Sequence, residues 1–157
     1  MLTAQVEPWA PFIEEAKSLL PLHWEELALD KEHVPLDPMW EVYDARDAAG
    51  QIMVVTLREA GRLVGYFIGC LAPGLHYRTC LTLQMDIFFV HPDHRGHMGG
   101  VKLFKAVERE ARRRGVNRLM VASKLHRDSS RLFTALGYAP IETHFSKWLG
   151  PAGQEVA

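Results

Sequence analysis

Apolar residues first recur at helical spacing over residues 8–31, where Phe12, Ile13, Ala16, Leu19 and Leu20 are followed by Trp24, Leu27 and Ala28 beyond Pro21. That spacing predicts two short helices hinged at the proline. Asp37-Pro38 marks the start of a further short helix carrying Trp40 and Tyr43, with Gly50 closing the region. The period then changes. QIMVVTLREA (51–60) and RLVGYFIGCLA (62–72) read as strands joined by a hairpin turn at Gly61. Over residues 80–90 the pattern alternates: Leu81, Leu83, Met85, Ile87 and Phe89 point one way, and Thr82, Gln84, Asp86, Phe88 and Val90 the other. This predicts a long strand with a core face and a working face that carries an amide and a carboxylate. From Gly99 to Arg114 the helical period returns, with Val101, Phe104, Val107 and Ala111 in one stripe and Lys102, Lys105, Glu108 and Arg109 facing away. Residues 117–123 read as a short strand. Residues 128–137 read as a short helix with Asp128 as N-cap and Gly137 past its end. Residues 138–149 read as a last alternating strand.

The order of helices, hairpin, long strand, helix, strand, helix and strand predicts an α/β fold: a mixed sheet, parallel near its centre and flanked by helices. Such sheets take ligands beyond the carboxyl ends of their strands. The 157 residues fit one domain with a substantial core.

Composition narrows the function classes. Apolar residues make up 48% of the chain and charged residues 24%, the balance of a soluble globular protein. The net charge of −1 supplies no general attraction for nucleic acid or for an anionic membrane, so neither is expected as a partner. The basic run Arg112-Arg113-Arg114 stands just before Gly115, where cations suit a helix C-terminus. Cys70 and Cys80 have no metal or redox spacing and read as buried thiols in a reduced compartment. The N-terminal residues carry no secretory pattern, and no apolar run approaches a membrane span, so a cytoplasmic protein is expected.

The chemistry concentrates in VHPDHRGHMGG, residues 90–100, between the long strand and the helix. His91, His94 and His97 form an HxxHxxH series. Pro92 and Gly96 place them in an irregular loop, and no acid or cysteine completes a ligand set, so no metal is expected. Gly96, Gly99 and Gly100 permit close backbone approach, Arg95 adds a cation, and the following helix start offers unpaired N–H groups. Together these make a pyrophosphate cradle. Neither the Gly-Lys-Ser/Thr of a P-loop nor GxGxxG is present.

Here the chain resembles the GNAT superfamily of acetyl-CoA-dependent N-acetyltransferases. Val-x-Pro-x-x-Arg-Gly is matched by Val90, Pro92, Arg95 and Gly96, and the ends of the family's Gln/Arg-x-x-Gly-x-Gly/Ala signature by Arg95 and Gly100; Met98 replaces the middle glycine. The resemblance covers about residues 51–148 and implies a cofactor-binding core there, with residues 1–50 as variable acceptor-side helices. The helix start His23–Glu26 and the compact length also resemble acetyltransferase-like proteins carried by phages.

That resemblance implies acetyl-CoA as co-substrate. It places the pantetheine arm along Phe88, Phe89 and Val90, and the phosphates at Arg95, Gly96, His97, Met98, Gly99, Gly100 and Val101. Phe133 stands where the family has a tyrosine that protonates the departing thiolate, and His126 where it has an asparagine that touches the cofactor arm; Gly137-Tyr138 matches the end of that helix. Asp86 is the candidate base for the amine, since most amines are protonated at neutral pH. His126, Tyr138 or water is the candidate proton donor to the thiolate, and the backbone N–H near Val90 the oxyanion donor. Glu142 and His144, and the aromatics Trp24, Trp40 and Tyr43, are candidates for the acceptor pocket. The expected partner is a small-molecule or peptide amine, and Glu25, Glu26, Asp30 and Glu32 lean towards a cationic one. Exposed strand edges make a homodimer an expectation. The alternative from another class is an acyl-CoA-binding module without efficient chemistry.

Overall fold

The hairpin strands are apolar on both faces, so they must be covered from both sides, and this sets the layers of the fold. In a computed structural model describing residues 1–96 and 98–151, β2 (Ile52–Glu59) and β3 (Arg62–Gly74) lie inside a five-stranded sheet. Met53, Val55 and Leu57 face one core with Leu103, Phe104 and Val107. Ile52, Val54, Tyr66 and Ile68 face a second core with Trp9, Phe12 and Ile13. The turn between the strands has Ala60 at φ 48° and Gly61 at φ 82°, the left-handed conformations a tight hairpin requires.

The sheet order is β1-β2-β3-β4-β5. β1 (Leu2–Glu7), which hydrophobic periodicity does not announce, lies antiparallel on β2. The segment 1–50, expected to hold helices alone, therefore begins with a strand of the sheet itself. β4 (Tyr77–Val90) is antiparallel to β3, and β5 (Arg118–Met120) is parallel to β4, the only parallel pair among the described residues. α1 (Trp9–Ala16), α2 (Leu20–Leu27) and α3 (Trp40–Ala48) precede β2. Pro21 sits in the first turn of α2, where a missing N–H costs nothing, and the break lies at Lys17–Leu19 rather than at the proline. α4 (Gly99–Arg113) packs on β1 and β2, and α5 (Ser130–Ala135) follows β5. No helix among the described residues is long and apolar enough to cross a membrane.

Three expectations need correction. The alternation of β4 is interrupted: Ile87 pairs with Ile68 and Met85 with Gly69, leaving Asp86 as an unpaired extra residue. Two residues opposing one reverse the parity of everything beyond the bulge. Leu81, Leu83 and Met85 thus join the α4 core, but so do Phe88 and Val90, while Ile87 and Phe89 join the α1–α2 core. Secondly, residues 138–149 form no strand: Ile141, Phe145 and Leu149 are exposed, so the alternation there covers no core. Thirdly, Cys70 and Cys80 are free but only half-buried. The arginine run does end α4. Arg113 and Arg114 both donate to Glu110, and Arg114 Nη1 also donates to the Ile52 carbonyl.

One cation ties β1 and α1 to β2. Arg58 of β2 forks onto Glu7 with Nε and Nη2 at 2.6 and 2.8 Å and onto Glu15 with Nη2 at 2.7 Å. Hydrogen bonding from Arg58 brings the Glu7 carboxyl from 4.5 down to about 2, despite the opposing effect of burial. A carboxyl depressed on folding stabilises above its unfolded value and ceases to do so as pH falls through its folded one. Glu7→Gln should therefore cost about 2 kcal/mol at neutral pH. It should also flatten the loss of stability between pH 4.5 and about 2, checked by denaturant unfolding at a series of pH values.

Candidate active site

β5 follows β4 for only three pairs, Thr82–Gln84 against Arg118–Met120. From Met85 to Val90, β4 has no strand on that side among the described residues. The parting opens a cavity of about 820 Å³. One wall is the free edge of β4; α2 lies across it with Leu20, His23, Trp24 and Glu26, and Ser123, His126, Arg127 and Leu132 form the opposite wall. Gly96, Gly100 and Val101 close one end. The divergence is held by hydrogen bonds around residues 123–130. Asp128 accepts from Ser123 Oγ at 2.9 Å and from the Ser130 N–H at 2.8 Å. The N-cap of α5 is Ser129 and not Asp128 as expected, and Asp128 meets the first N–H of the helix from one residue further out.

At the closed end Gly96 has φ 77°, a conformation that favours glycine, with nothing near its missing Cβ. Gly99 is instead favoured by tight packing, since a Cβ there would lie 3.1 Å from Leu57 Cδ2 and 3.3 Å from the His94 carbonyl oxygen. At Gly100 a Cβ would lie 3.0 Å from Leu132. Met98, in place of the family's glycine, has φ −69° and ψ 12°, which any residue adopts, and its side chain is exposed. The substitution strains nothing. Arg95 donates from Nε to the Val90 carbonyl at 2.7 Å and from Nη2 to Glu26 at 2.7 Å, while its buried Nη1 has no partner. The other Glu26 oxygen takes Arg127 Nε at 2.5 Å. Burial pushes the Glu26 carboxyl up, and the two guanidiniums outweigh it and hold the group below the usual range. A positively charged end with an unpaired buried donor and the start of a helix fits a pyrophosphate.

In the middle of the cavity the bulge presents Asp86, whose Oδ2 accepts from Tyr43 Oη at 2.5 Å. Tyr43 is itself stacked on Trp9 at 4.8 Å, and Trp9 donates to Asp44, so α1 and α3 hold the phenol in place. His23 is 4% exposed, stacks on Phe89 at 5.0 Å and places Nδ1 2.8 Å from Tyr66 Oη. Desolvation pushes its imidazole down to about 4, so it is neutral at physiological pH.

Of the residues singled out in the sequence, Asp86, Phe88, Phe89, Val90, Arg95, Gly96, Gly100, Val101 and His126 line this one cavity. Gly99 is buried behind it against Leu57, and Met98 stands outside its wall. His97 lies outside the described residues. Phe133 and Tyr138 are not at the cavity: they pack on each other at 5.8 Å in the α4 core, and the Tyr138 hydroxyl is buried without a partner. A proton donor to the cavity is thus not found in Tyr138. Glu142 and His144 are exposed and pair with each other, away from the cavity. Trp24 lines it, Tyr43 reaches it through Asp86, and Trp40 packs against the α1 core. Among the described residues no group of three His, Cys, Asp or Glu could hold a metal. Arg127 belongs to no motif of the sequence, and only the folded chain brings it to the cavity beside His23 and Glu26.

The family model described as "Acetyltransferase (GNAT) family" matches residues 16–138. No curated protein matches. Among solved structures, a ribosomal-protein-alanine N-acetyltransferase from Brucella melitensis biovar Abortus 2308 aligns at TM-score 0.70 and 18% identity, covering 96% of this chain and 100% of that one. An aminoglycoside acetyltransferase from an uncultured soil metagenomic sample aligns at 0.72 and 15%, covering 96% and 99%. A predicted acetyltransferase from Clostridium acetobutylicum, solved with acetyl-CoA, aligns at 0.65 and 15%, covering 95% and 97%. At these identities the likeness is one of fold, and none of the three supports the phage likeness suggested by His23–Glu26.

The His23 environment makes a checkable statement. Its folded pKa lies below the ordinary 6.5, so the fold loses stability as pH falls from 6.5 towards about 4. In an NMR titration the His23 ring should change charge near pH 4, and a midpoint at 6.5 would contradict the buried, neutral imidazole.

Proposed function

The chain belongs to the GNAT acetyltransferase family, and on that premise we propose that it moves an acetyl group from acetyl-CoA to an amine by direct transfer in a ternary complex. The observation that carries this reading is the unpaired edge of β4 from Met85 to Val90, running towards Arg95 and the start of α4. A pantetheine arm carries amides that can add to such an edge as a strand would. The cradle of Gly96, Gly100 and Arg95 then receives the pyrophosphate, and the thioester falls near the bulge.

The amine's lone pair attacks the thioester carbonyl, the new C–N bond forms, and the C–S bond breaks. Backbone N–H groups at the strand edge are suited to the oxyanion. Asp86 takes the amine proton; its Oδ2 is engaged by Tyr43, which leaves Oδ1 for the substrate. His126, in the opposite wall, is the described side chain we assign to returning a proton to the thiolate, with water as the alternative donor.

Isothermal titration with acetyl-CoA, together with a thiol-release assay on an amine panel, tests the proposal. Binding with release is expected; binding without release on any acceptor would reduce the chain to a binding module. Arg95→Glu places an anion beside the phosphates and should weaken binding by about a hundredfold. Asp86→Asn should lower turnover at least about tenfold with acetyl-CoA affinity nearly unchanged, and parental turnover across pH would remove Asp86 as the base.

A further inference from the structure

A second hollow of about 580 Å³ lies on the face of β3, β4 and β5 bordered by α3. Thr82 and Gln84 from β4, Arg46 from α3 and Arg118 from β5 line it. Met85 and Asp86 line this hollow and the larger cavity alike, so the two spaces meet at the bulge. The meeting follows from the chain itself. The bulge interrupts the ladder at Asp86, and the parting of β5 beyond Gln84 removes the strand that would have separated the spaces.

The charges of the hollow are Arg46, Arg118 and Asp86, a surplus of one cation. Neither guanidinium is in an ion pair among the described residues, unlike Arg95 and Arg127 at the larger cavity. Arg118 lies over the Tyr77 ring at 5.6 Å, which holds its planar fork at the rim without satisfying its donors. Of the acids that lean towards a cationic acceptor, Glu25 accepts from Lys31 at 2.9 Å and Glu26 holds Arg95 and Arg127, while Asp30 and Glu32 do not line the hollow.

Resting on the acetyl-transfer reading above, the geometry points to this hollow as the acceptor's site and to an acceptor that carries a carboxylate besides its amine. The amine meets Asp86 at the junction with the thioester, and the carboxylate meets Arg46 and Arg118. Guanidinium forks match a carboxylate in shape as well as charge. A free amino acid or a short peptide has both groups, and a polyamine has no use for the arginines.

Glycylglycine and glycylglycinamide, which differ only at the carboxylate, provide the test on the full chain. Without cofactor, glycylglycine should shift the Nε–H NMR signals of Arg46 and Arg118, and glycylglycinamide should not. In the R46Q/R118Q double variant, whose side chains are exposed, the affinity for glycylglycine should fall about tenfold. With acetyl-CoA present, KM should rise for the acid and stay unchanged for the amide. Equal binding of acid and amide, no shift from either, or parental affinity in the double variant would overturn the assignment. Glycylglycine that binds at the arginines but releases no CoA would uphold the site and count against acetyl transfer. Turnover with no preference for a carboxylate would do the reverse.

Discussion

Everything functional in this fold depends on β5 leaving β4 after three pairs. A sheet normally satisfies strand edges by pairing, and an unpaired run of N–H and C=O groups is a liability unless something takes it up. Here that run is flanked by structure which keeps it open. Asn117 ties the start of β5 to Leu81 through its backbone N–H and its side-chain oxygen. The Ser123–Asp128–Ser130 bonds then turn the chain away before a fourth pair can form. On the other side α2 is held over the gap by Glu26, which joins Arg95 before α4 to Arg127 before α5.

The bulge at Asp86 is the second half of the same device. By reversing parity it sends Phe88 and Val90 into the α4 core and Ile87 and Phe89 into the α1–α2 core, so the last residues of β4 are anchored in apolar packing on both faces. The one residue that belongs to neither register is an aspartate, and it stands where the two cavities meet. Rigid cores on both faces of β2 and β3 support this arrangement. Leu57, fully buried, limits what can replace Gly99, and Leu132 limits what can replace Gly100.

Much of this was legible in the sequence because it rests on local rules. Continuous apolar runs marked the doubly covered hairpin, and the Val-x-Pro-x-x-Arg-Gly approach with its glycines marked the closed end of the cavity. What was not legible depends on long-range pairing. β1 is short, and its Leu2 and Ala4 are only partly buried, so no period reveals it. The bulge hides where the alternation Leu81–Asp86 runs into the wholly apolar Ile87–Val90, because residue types do not record register. Residues 138–149 show the converse, an alternating pattern with no core to face. Glu26 becomes the partner of Arg95 and Arg127, and His23 that of Phe89, only through the packing of α2. The pairing of Glu25 with Lys31, and of Glu26 with Arg95 and Arg127, was hidden for the same reason, since sequence shows charges but not their partners.

The central claim is that the edge of β4 from Met85 to Val90 is the surface that receives the pantetheine arm. Residue-resolved amide hydrogen exchange with and without saturating CoA tests it most directly. The account predicts slowed exchange at the outward-facing amides of residues 85–90 and at the start of α4, with the β1–β2 amides unchanged. Unaltered exchange along β4 at full occupancy would contradict it.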